Sequence, residues 1–453
     1  MGFDYYQHEA KLTNLNPATE YSYDVFVGGV DATPSVTDKL TTAPGAGATS
    51  VKFVAFGDSG IGSSQQRQLA GVLTNDDFDL ALHTGDVVYG SSNTSGGADY
   101  TQFHNWFFDI YRDWLRSRPT YLSIGNHDDR IAHGQAYRDL FVLPENGASA
   151  AYPDHAERYY SFDYGPVHFV ALDTETALLD PTRRQEQLNW LAADLALTQQ
   201  PWRVVFFHRS PYSSGTEHGS ELDVRQAFRP ILEQYGVQLA LTAHDHDYER
   251  SVPWREGATG NQAVTYVVTG GGGARLNSVG QNAWTAFSRS DYHYVRATVS
   301  GCQLTLQAVG LNGAILDQHI LDRCLQETDA APPTVSITSP SAGANVSGTM
   351  IVDAVANDDA RVEKVDLWID GSLKLIDTTA PYRFSFNSLS LTDGPHTIEA
   401  RAYDIGGNQA SSGICTVIIS KSPYAVCRVE AQDIVLFALS KPQNPVSPRK
   451  VTL

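Results

Sequence analysis

Five short apolar runs in this chain of 453 residues each lead straight into side chains that carry an oxygen or nitrogen lone pair. Residues 51–56 run into Gly57-Asp58-Ser59-Gly60, and residues 78–82 into Gly85-Asp86 with Tyr89 three positions further on. Residues 120–124 run into Gly125-Asn126-His127-Asp128, 203–207 into His208, and 237–242 into Ala243-His244-Asp245-His246. Each run is short, apolar and rich in β-formers, which predicts buried parallel strands. Open α/β sheets hold ligands outside the carboxyl ends of such strands. The spacing therefore predicts that the strand ends converge on one crevice lined by carboxylate, amide, phenol and imidazole groups. His244 and His246, two apart, would share one face of an extended segment. One Gly-Asp or His-x-His after a strand is ordinary turn chemistry, whereas five such blocks in order are a far more specific signal.

The elements that must hold these groups alternate in kind. From residue 50 to about 325, strand-like runs alternate with helical patterns at 65–73 and 183–197, as in a layered α/β domain. In the second helix Leu188, Leu191, Leu195 and Trp190 fall largely on one side, for core packing. The run Gly270 to Gly273 lacks the spacing of a nucleotide-binding loop and is read as a loop passing close to another backbone. Asp329-Ala330-Ala331-Pro332-Pro333 is a linker, and residues 334–420 read as an all-β module. There Val365, Leu367 and Ile369 alternate with Asp366, Trp368 and Asp370, which predicts a sheet with one wet face. Residues 1–45 carry two expected strands, 6–12 and 20–27, followed by a linker at 41–48. Residues 421–453, with Pro442, Pro445 and Pro448, read as an irregular tail.

A chain of this length exceeds one core, so two or three domains are expected. No apolar run reaches about 18 residues, so no membrane-spanning helix is expected. The formal charge of −19, from 32 basic and 51 acidic residues, argues against nucleic acid as a partner. An acidic chain still binds phosphate where metal cations dominate the local field. The sequence does not open with a basic stretch followed by an apolar core, so no signal peptide is read there. Among Cys302, Cys324, Cys415 and Cys427 there is no C-x-x-C pair, which removes zinc-finger and thioredoxin readings. Cys302 and Cys324 flank runs at 303–309 and 314–321 joined by a turn at Asn312-Gly313. A hairpin there would set them opposite one another, in a disulfide suited to an oxidising compartment.

Taken together, Gly-Asp-x-Gly, Gly-Asp-x-x-Tyr, Gly-Asn-His-Asp, Val-x-x-His and Ala-His-x-His resemble the five blocks of the purple acid phosphatases, within the calcineurin-like metallophosphoesterases. The resemblance spans roughly residues 1–325 and departs from the family at Ala243, where glycine is usual. It implies an α/β fold with a calcineurin-like four-layer αββα sandwich core, flanked by all-β sandwich modules. The catalytic domain would occupy 50–325. Leu15-Asn16-Pro17-Ala18-Thr19-Glu20-Tyr21 resembles the tyrosine corner of a fibronectin type III sandwich, so 1–45 would be a truncated piece of one. Residues 334–420 resemble a bacterial Ig-like module. Its acidic turns, at Asp393 and Asp404, are read as polar turn chemistry, with calcium binding as the alternative.

The resemblance also implies a dinuclear metal site, with Asp86 bridging the two ions. Asp58, Tyr89 and His246 would complete a site for Fe(3+), because a phenol with an ordinary pKa near 10 stays ionised only on a strongly polarising ion. Asn126, His208 and His244 would complete a site for Zn(2+), Mn(2+) or Fe(2+). Two such ions about 3.5–4 Å apart generate hydroxide and clamp phosphoryl oxygens. The implied reaction is hydrolysis of phosphate monoesters, metal-bound hydroxide attacking phosphorus in line, with a phosphodiesterase or nucleotide hydrolase as the alternative. His127 and His218 are the expected catalytic residues, and Asn126, His127 and His218 the substrate-binding ones, with either histidine protonating the departing alkoxide. Arg209 is weighed as a phosphate ligand against an ordinary surface arginine. Asp128 is expected to orient His127, and Asp173 to be structural. His83, His104, His133, His155, His168, His293, His319 and His396 are read as ordinary core or surface residues. The implied partner is a small-molecule phosphate ester, in a secreted or periplasmic setting, with contact to an extracellular surface or polysaccharide through the Ig-like module. The rival reading is a surface-binding protein whose core is idle.

Overall fold

Alternation of apolar side chains along the strands sorts two mixed sheets into separate layers. In this computed structural model, residues 9–31, 38–45, 47–90, 97–147, 156–256, 262–324, 329–359, 362–377 and 380–421 are described. A six-stranded sheet runs in the order Ile315–Asp322, Gln303–Gly310, His293–Ser300, Ser50–Phe56, Leu80–His83, Thr120–Leu122. A seven-stranded sheet runs Thr285–Arg289, Tyr248–Ser251, Thr265–Thr269, Leu239–Ala243, Trp202–Arg209, Val167–Ala171, Tyr160–Tyr164. The five motif strands are thus shared between the sheets, three in the first and two in the second. Within each sheet they are parallel and level: Phe56 pairs with His83, His83 with Leu122, and Phe206 with Leu241.

Between the sheets Phe53 meets Phe169 edge to face at 5.2 Å, and Val204 and Phe206 belong to the same apolar layer. The alternate residues Val205 and Phe207 turn the other way, packing with Leu191 and Leu195 of the helix Pro181–Leu197 and with Val224, Phe228 and Leu232 of Leu222–Gln234. Successive strand side chains point to opposite faces, which is why one strand serves two cores. On the outer side of the six-stranded sheet Phe56 meets Tyr111 of the helix Asp109–Leu115 at 5.4 Å, beside Ser64–Thr74 with its buried Leu69 and Leu73. The layer order is helix, sheet, sheet, helix, the four-layer core expected. Local chemistry starts these helices where they begin. The Ser63 side chain accepts from Gln66 N–H, and Asp180 caps Thr182 and Arg183 ahead of Pro181 at the first turn. Trp190 is only half-buried, tilted against Tyr159.

The chain forms two compact units. The first comprises Met1–Pro333 with the segments Asp358–Glu363 and Tyr403–Gln409. In its N-terminal part Glu20–Tyr23 pairs antiparallel with Asp38–Thr41, and Asn16 N–H donates to the Tyr21 hydroxyl at 2.9 Å. Residues 9–12 form no strand, which corrects that part of the expected strand over 6–12, and residues 6–8 lie outside the described ones. Cys302 and Cys324 form a disulfide across the hairpin of Gln303–Gly310 and Ile315–Asp322. Among the described residues the second unit is built of β-strands, with one 3-10 turn at Ser388–Ser390. Its Val365, Leu367 and Ile369 are buried, but so are Lys364 and Asp366, joined by an ion pair at 2.9 Å. The face expected to be wet is therefore partly closed, by a charge pair instead of apolar contact. The structure adds the strand Ser372–Asp377, which the sequence pattern did not mark. The tail from residue 422 onward lies outside the described residues. Among the described residues no helix is long and apolar enough to cross a membrane.

Phe206 is fully buried between the sheets two residues before His208. Phe206→Ala is expected to destabilise the first unit by about 3–5 kcal/mol, read from the denaturant midpoint. A loss below about 1 kcal/mol would place this side chain outside the inter-sheet core.

Candidate metal centre

Three of the motif strands pass their donors to tight loops, whereas Asn126 opens the short helix Asn126–Asp129 and His208 lies within the strand Trp202–Arg209. Asp58, Asp86 and His244 take φ values of +52°, +50° and +76°, a conformation that costs a non-glycine residue about 1–2 kcal/mol. Backbone bonds hold it. Asp58 N–H donates to Gly85 O at 3.1 Å and Ser59 N–H to Asp86 O at 3.3 Å, joining the first two loops. His244 N–H donates to Asp58 Oδ2 at 2.9 Å, tying the end of one sheet to the other. Glycine permits the approach at two points. A Cβ on Gly85 would sit 2.7 Å from His208 Nδ1, and one on Gly125 would fall onto Asp86 N and Oδ1. Ala243, the departure from the expected glycine, is fully buried against Gly57. The loop from Gly270 to Gly273 passes over the same strand end, Gly272 N–H donating to Gly57 O at 3.0 Å.

The donors gather in two adjoining groups. In one, the Tyr89 hydroxyl donates to Asp58 Oδ1 at 2.8 Å and lies 2.9 Å from His246 Nε2, with His246 Nε2 3.5 Å from Asp58 Oδ1. In the other, His208 Nε2 lies 3.1 Å from Asn126 Oδ1, 3.4 Å from Asp86 Oδ2 and 3.1 Å from His244 Nδ1. One atom each of Asp86, His208 and His244 falls within 4.8 Å of the others. Asp58, Asp86 and His208 are buried, while Tyr89, Asn126 and His246 are half-exposed.

This arrangement suits cations. His208 Nδ1 lies 3.1 Å from Thr84 O, and His246 Nδ1 2.7 Å from Arg275 O. A carbonyl only accepts, so these nitrogens carry hydrogen and each neutral ring presents its Nε2 lone pair to the hollow. Lone pairs and carboxylates then face one another, an arrangement that repels unless a proton or a metal lies between. In the metal-free chain protons take that place. Burial pulls His208 down, but Asp86 raises it to about 10; burial also pulls His246 down, but Asp58 raises it to about 9. Burial, then Asp58 and Asp86, push the Tyr89 phenol well up, so its ionisation needs a strongly polarising ion. Burial opposes ionisation of Asp86 too, yet His208 and His127 hold it well below the usual carboxylate range. The phenol and carboxylate oxygens fit a hard, highly charged ion, and the paired imidazoles with an amide oxygen fit zinc, manganese or ferrous iron.

The calcineurin-like phosphoesterase family matches residues 51–248, and the family described as iron/zinc purple acid phosphatase-like protein C matches 263–318. The region that holds every donor of the centre is thus similar to the calcineurin-like phosphoesterases, and the segment after it to the purple acid phosphatases. A bacterial Ig domain matches residues 333–400. The chain is 28% identical over 289 residues to an uncharacterized protein of Mycobacterium tuberculosis, covering 57% of this chain and 53% of that one. It is 27% identical over 369 residues to acid phosphatase type 7 of Danio rerio, covering 70% and 77% of the two chains. It shares its fold with a purple acid phosphatase from yellow lupin seeds, at a TM-score of 0.56 and 22% identity, over 68% of this chain and 60% of that one. The chain spans about half the length of the mycobacterial relative.

Around this centre, both histidines expected at the substrate border the donors. The His127 ring is 4.3 Å from that of Tyr89, and the His127 backbone N–H donates to Asp86 Oδ1 at 2.8 Å. The exposed His218 stacks on His244 at 3.8 Å. Arg209 is neither a free phosphate ligand nor a surface arginine: Glu175 at 2.9 Å and Glu221 at 2.8 Å hold it, with Nη1 3.1 Å from His244 Nε2. The Asp128 carboxylate accepts Gly125 N–H at 3.0 Å and Val87 N–H at 3.1 Å. It joins two loops, which corrects the expectation that it orients the His127 ring. Asp173 caps the helix Thr174–Leu179 and pairs with Arg158 at 2.7 Å. His83 lies fully buried below the centre, bonded to Ser59 Oγ at 2.7 Å, and burial then His208 push it down to about 3.

Two carboxylates escaped the sequence reading. Asp245 accepts from Ser213 Oγ at 2.6 Å, His218 N–H at 3.1 Å and Gly219 N–H at 2.8 Å, so it fixes the loop that carries His218. Asp247 is fully buried, with no hydrogen bond to either carboxylate oxygen among the described residues. Burial, then Asp245 and Glu249, push it up to about 8. Their only trace in the sequence is the interleaving of acid with histidine in His244-Asp245-His246-Asp247.

Metals entering the metal-free chain must displace the protons that His208 and His246 hold up to about 10 and 9. Binding is expected to release protons, and affinity to fall as pH falls. Calorimetry in buffers of different ionisation enthalpy measures this; heats independent of buffer would contradict it. Asp245→Ala removes three hydrogen bonds to a carboxylate. Amide exchange at His218 and Gly219 is expected to quicken as local stability falls by about 1.5–3 kcal/mol, and unchanged protection would refute the anchoring role.

Proposed function

We propose that this phosphoesterase hydrolyses phosphate monoesters with two metal ions: Fe(3+) among Asp58, Asp86, Tyr89 and His246, and Zn(2+), Mn(2+) or Fe(2+) among Asp86, Asn126, His208 and His244. The observation that carries this reading is the meeting of donors from five strand ends in two adjoining groups. When bound, the cations supply a nucleophile at moderate pH and positive charge for the phosphoryl oxygens. The chain supplies position and proton transfer. Asp86 faces His208 and receives the His127 N–H, which supports a shared role between the groups. His127 and His218 are general acids by residue type, either one able to hold the proton that the leaving alkoxide takes. Asn126, His127 and His218 are the side chains through which substrate would be held. Asp245 sets the position of His218, and Arg209 backs His244 from the outer side.

The Cys302–Cys324 disulfide supports an oxidising setting, secreted or periplasmic. The bacterial Ig domain supports a spacer or adhesive role toward an extracellular surface or polysaccharide. The tie between Asn16 and Tyr21 supports reading residues 1–45 as part of a fibronectin type III-like module.

The purified chain with its metals is expected to turn over p-nitrophenyl phosphate faster than its bis-ester or nucleotides. Asp86→Ala should lower that rate by at least about 10²–10³-fold, the scale of losing one electrostatic stabiliser, and should lower bound metal in elemental analysis. Tyr89→Phe should abolish a visible phenolate-to-iron band. Faster diester turnover would replace the monoester reading, and full activity in Asp86→Ala would end the metal-centred one.

A further inference from the structure

Three carboxylates outside the phosphoesterase centre converge from distant segments. Asp329, Asp358 and Asp404 each bring one oxygen to within 4.8 Å of the others, and all three belong to the first compact unit. Asp404 is fully buried. Its Oδ1 accepts Asn408 N–H at 2.8 Å, whereas its Oδ2 has no hydrogen-bond partner among the described residues, nor has Oδ2 of Asp329. The backbone keeps these groups together. Asp329 O accepts from Asn408 Nδ2 at 3.3 Å, and a Cβ on Gly406 would sit 2.7 Å from that same oxygen. The turn closes on itself, Asp404 N–H donating to Asn408 O at 3.2 Å and Gly407 N–H to Asp404 O at 3.3 Å.

Negative groups this close, with a fully buried oxygen left unpartnered, are unfavourable without a counter-charge. Burial, then the charges of Asp404 and Asp358, push the Asp329 carboxyl above its ordinary range. We propose that Asp329, Asp358 and Asp404 hold a calcium ion. The donor set contains only oxygen, which suits a hard cation and offers nothing to metals that seek thiolate or imidazole. Calcium accepts irregular sets of carboxylate and carbonyl oxygens, whereas magnesium demands a tight octahedron and keeps its waters. The ion clamps three segments far apart in sequence: the linker at 329, the loop at 358 and the turn at 404–408.

The test titrates calcium from about 10 μM to 10 mM, spanning the range of extracellular modules, into the full chain with its catalytic metals loaded, following heat by calorimetry and the thermal midpoint. One calcium is expected to bind and raise the midpoint. Asp404→Asn and Asp329→Asn are each expected to weaken binding by roughly tenfold or more, while Asp86→Asn retains it. Asp329 is half-exposed, so its variant decides the matter even where the buried Asp404 variant does not fold. Absence of binding in the wild type, an affinity unchanged in Asp329→Asn, loss of binding in Asp86→Asn, or an equal response to magnesium would overturn the proposal.

Discussion

Repulsion between lone pairs that face one another across a buried hollow is the condition the rest of this protein accommodates. Asp58, Asp86 and His208 have almost no exposure to water, so solvent cannot screen them. Left to themselves these groups would move apart. They are kept in place by short loops whose backbone bonds cross from Asp58 to Gly85 and from His244 to Asp58. The same crowding explains why residues in left-handed conformations and glycines pressed against ligands gather here, since strain persists only where the surroundings over-determine it.

Two sheets packed face to face meet this demand better than one. A single parallel sheet lines up its strand ends along an edge, whereas here the ends of two sheets meet, and donors approach from both sides. Apolar contact between the sheets, Phe53 against Phe169 and Val204 and Phe206 in the same layer, sets that spacing rigidly because interiors are close-packed. The electrostatic hollow thus rests on hydrophobic packing a few residues upstream of each donor.

Charge is balanced locally even though the chain is acidic overall, at −19. Arg209 is neutralised by Glu175 and Glu221, Arg158 by Asp173 and Asp129, and Lys364 by Asp366. Against that pattern, the hollow of Asp86 and His208 and the trio of Asp329, Asp358 and Asp404 stand out as concentrations of donors. The two differ in kind. One mixes nitrogen with oxygen, the other offers oxygen alone, and so they suit different cations.

Much of this was legible in the residues themselves. The five motif strands, the helices at Ser64–Thr74 and Pro181–Leu197, the hairpin with its cysteines and the donors near each strand end follow from local pattern, because periodicity and turn chemistry act over a few residues. The helix Leu222–Gln234 and the strand Ser372–Asp377 went unread. Other features were not legible either. Arg209 looked open until Glu175 and Glu221 were brought beside it; Asp245 looked like a spacer until it took the backbone of His218 and Gly219. Lys364 and Asp366 alternated as a solvent-facing pair would, yet are buried together. The sequence by itself determined which atoms could act as ligands, since donor chemistry belongs to the side chain alone. Only the tertiary structure decided which of them share a hollow, because proximity between residues more than a hundred positions apart depends on how two sheets pack.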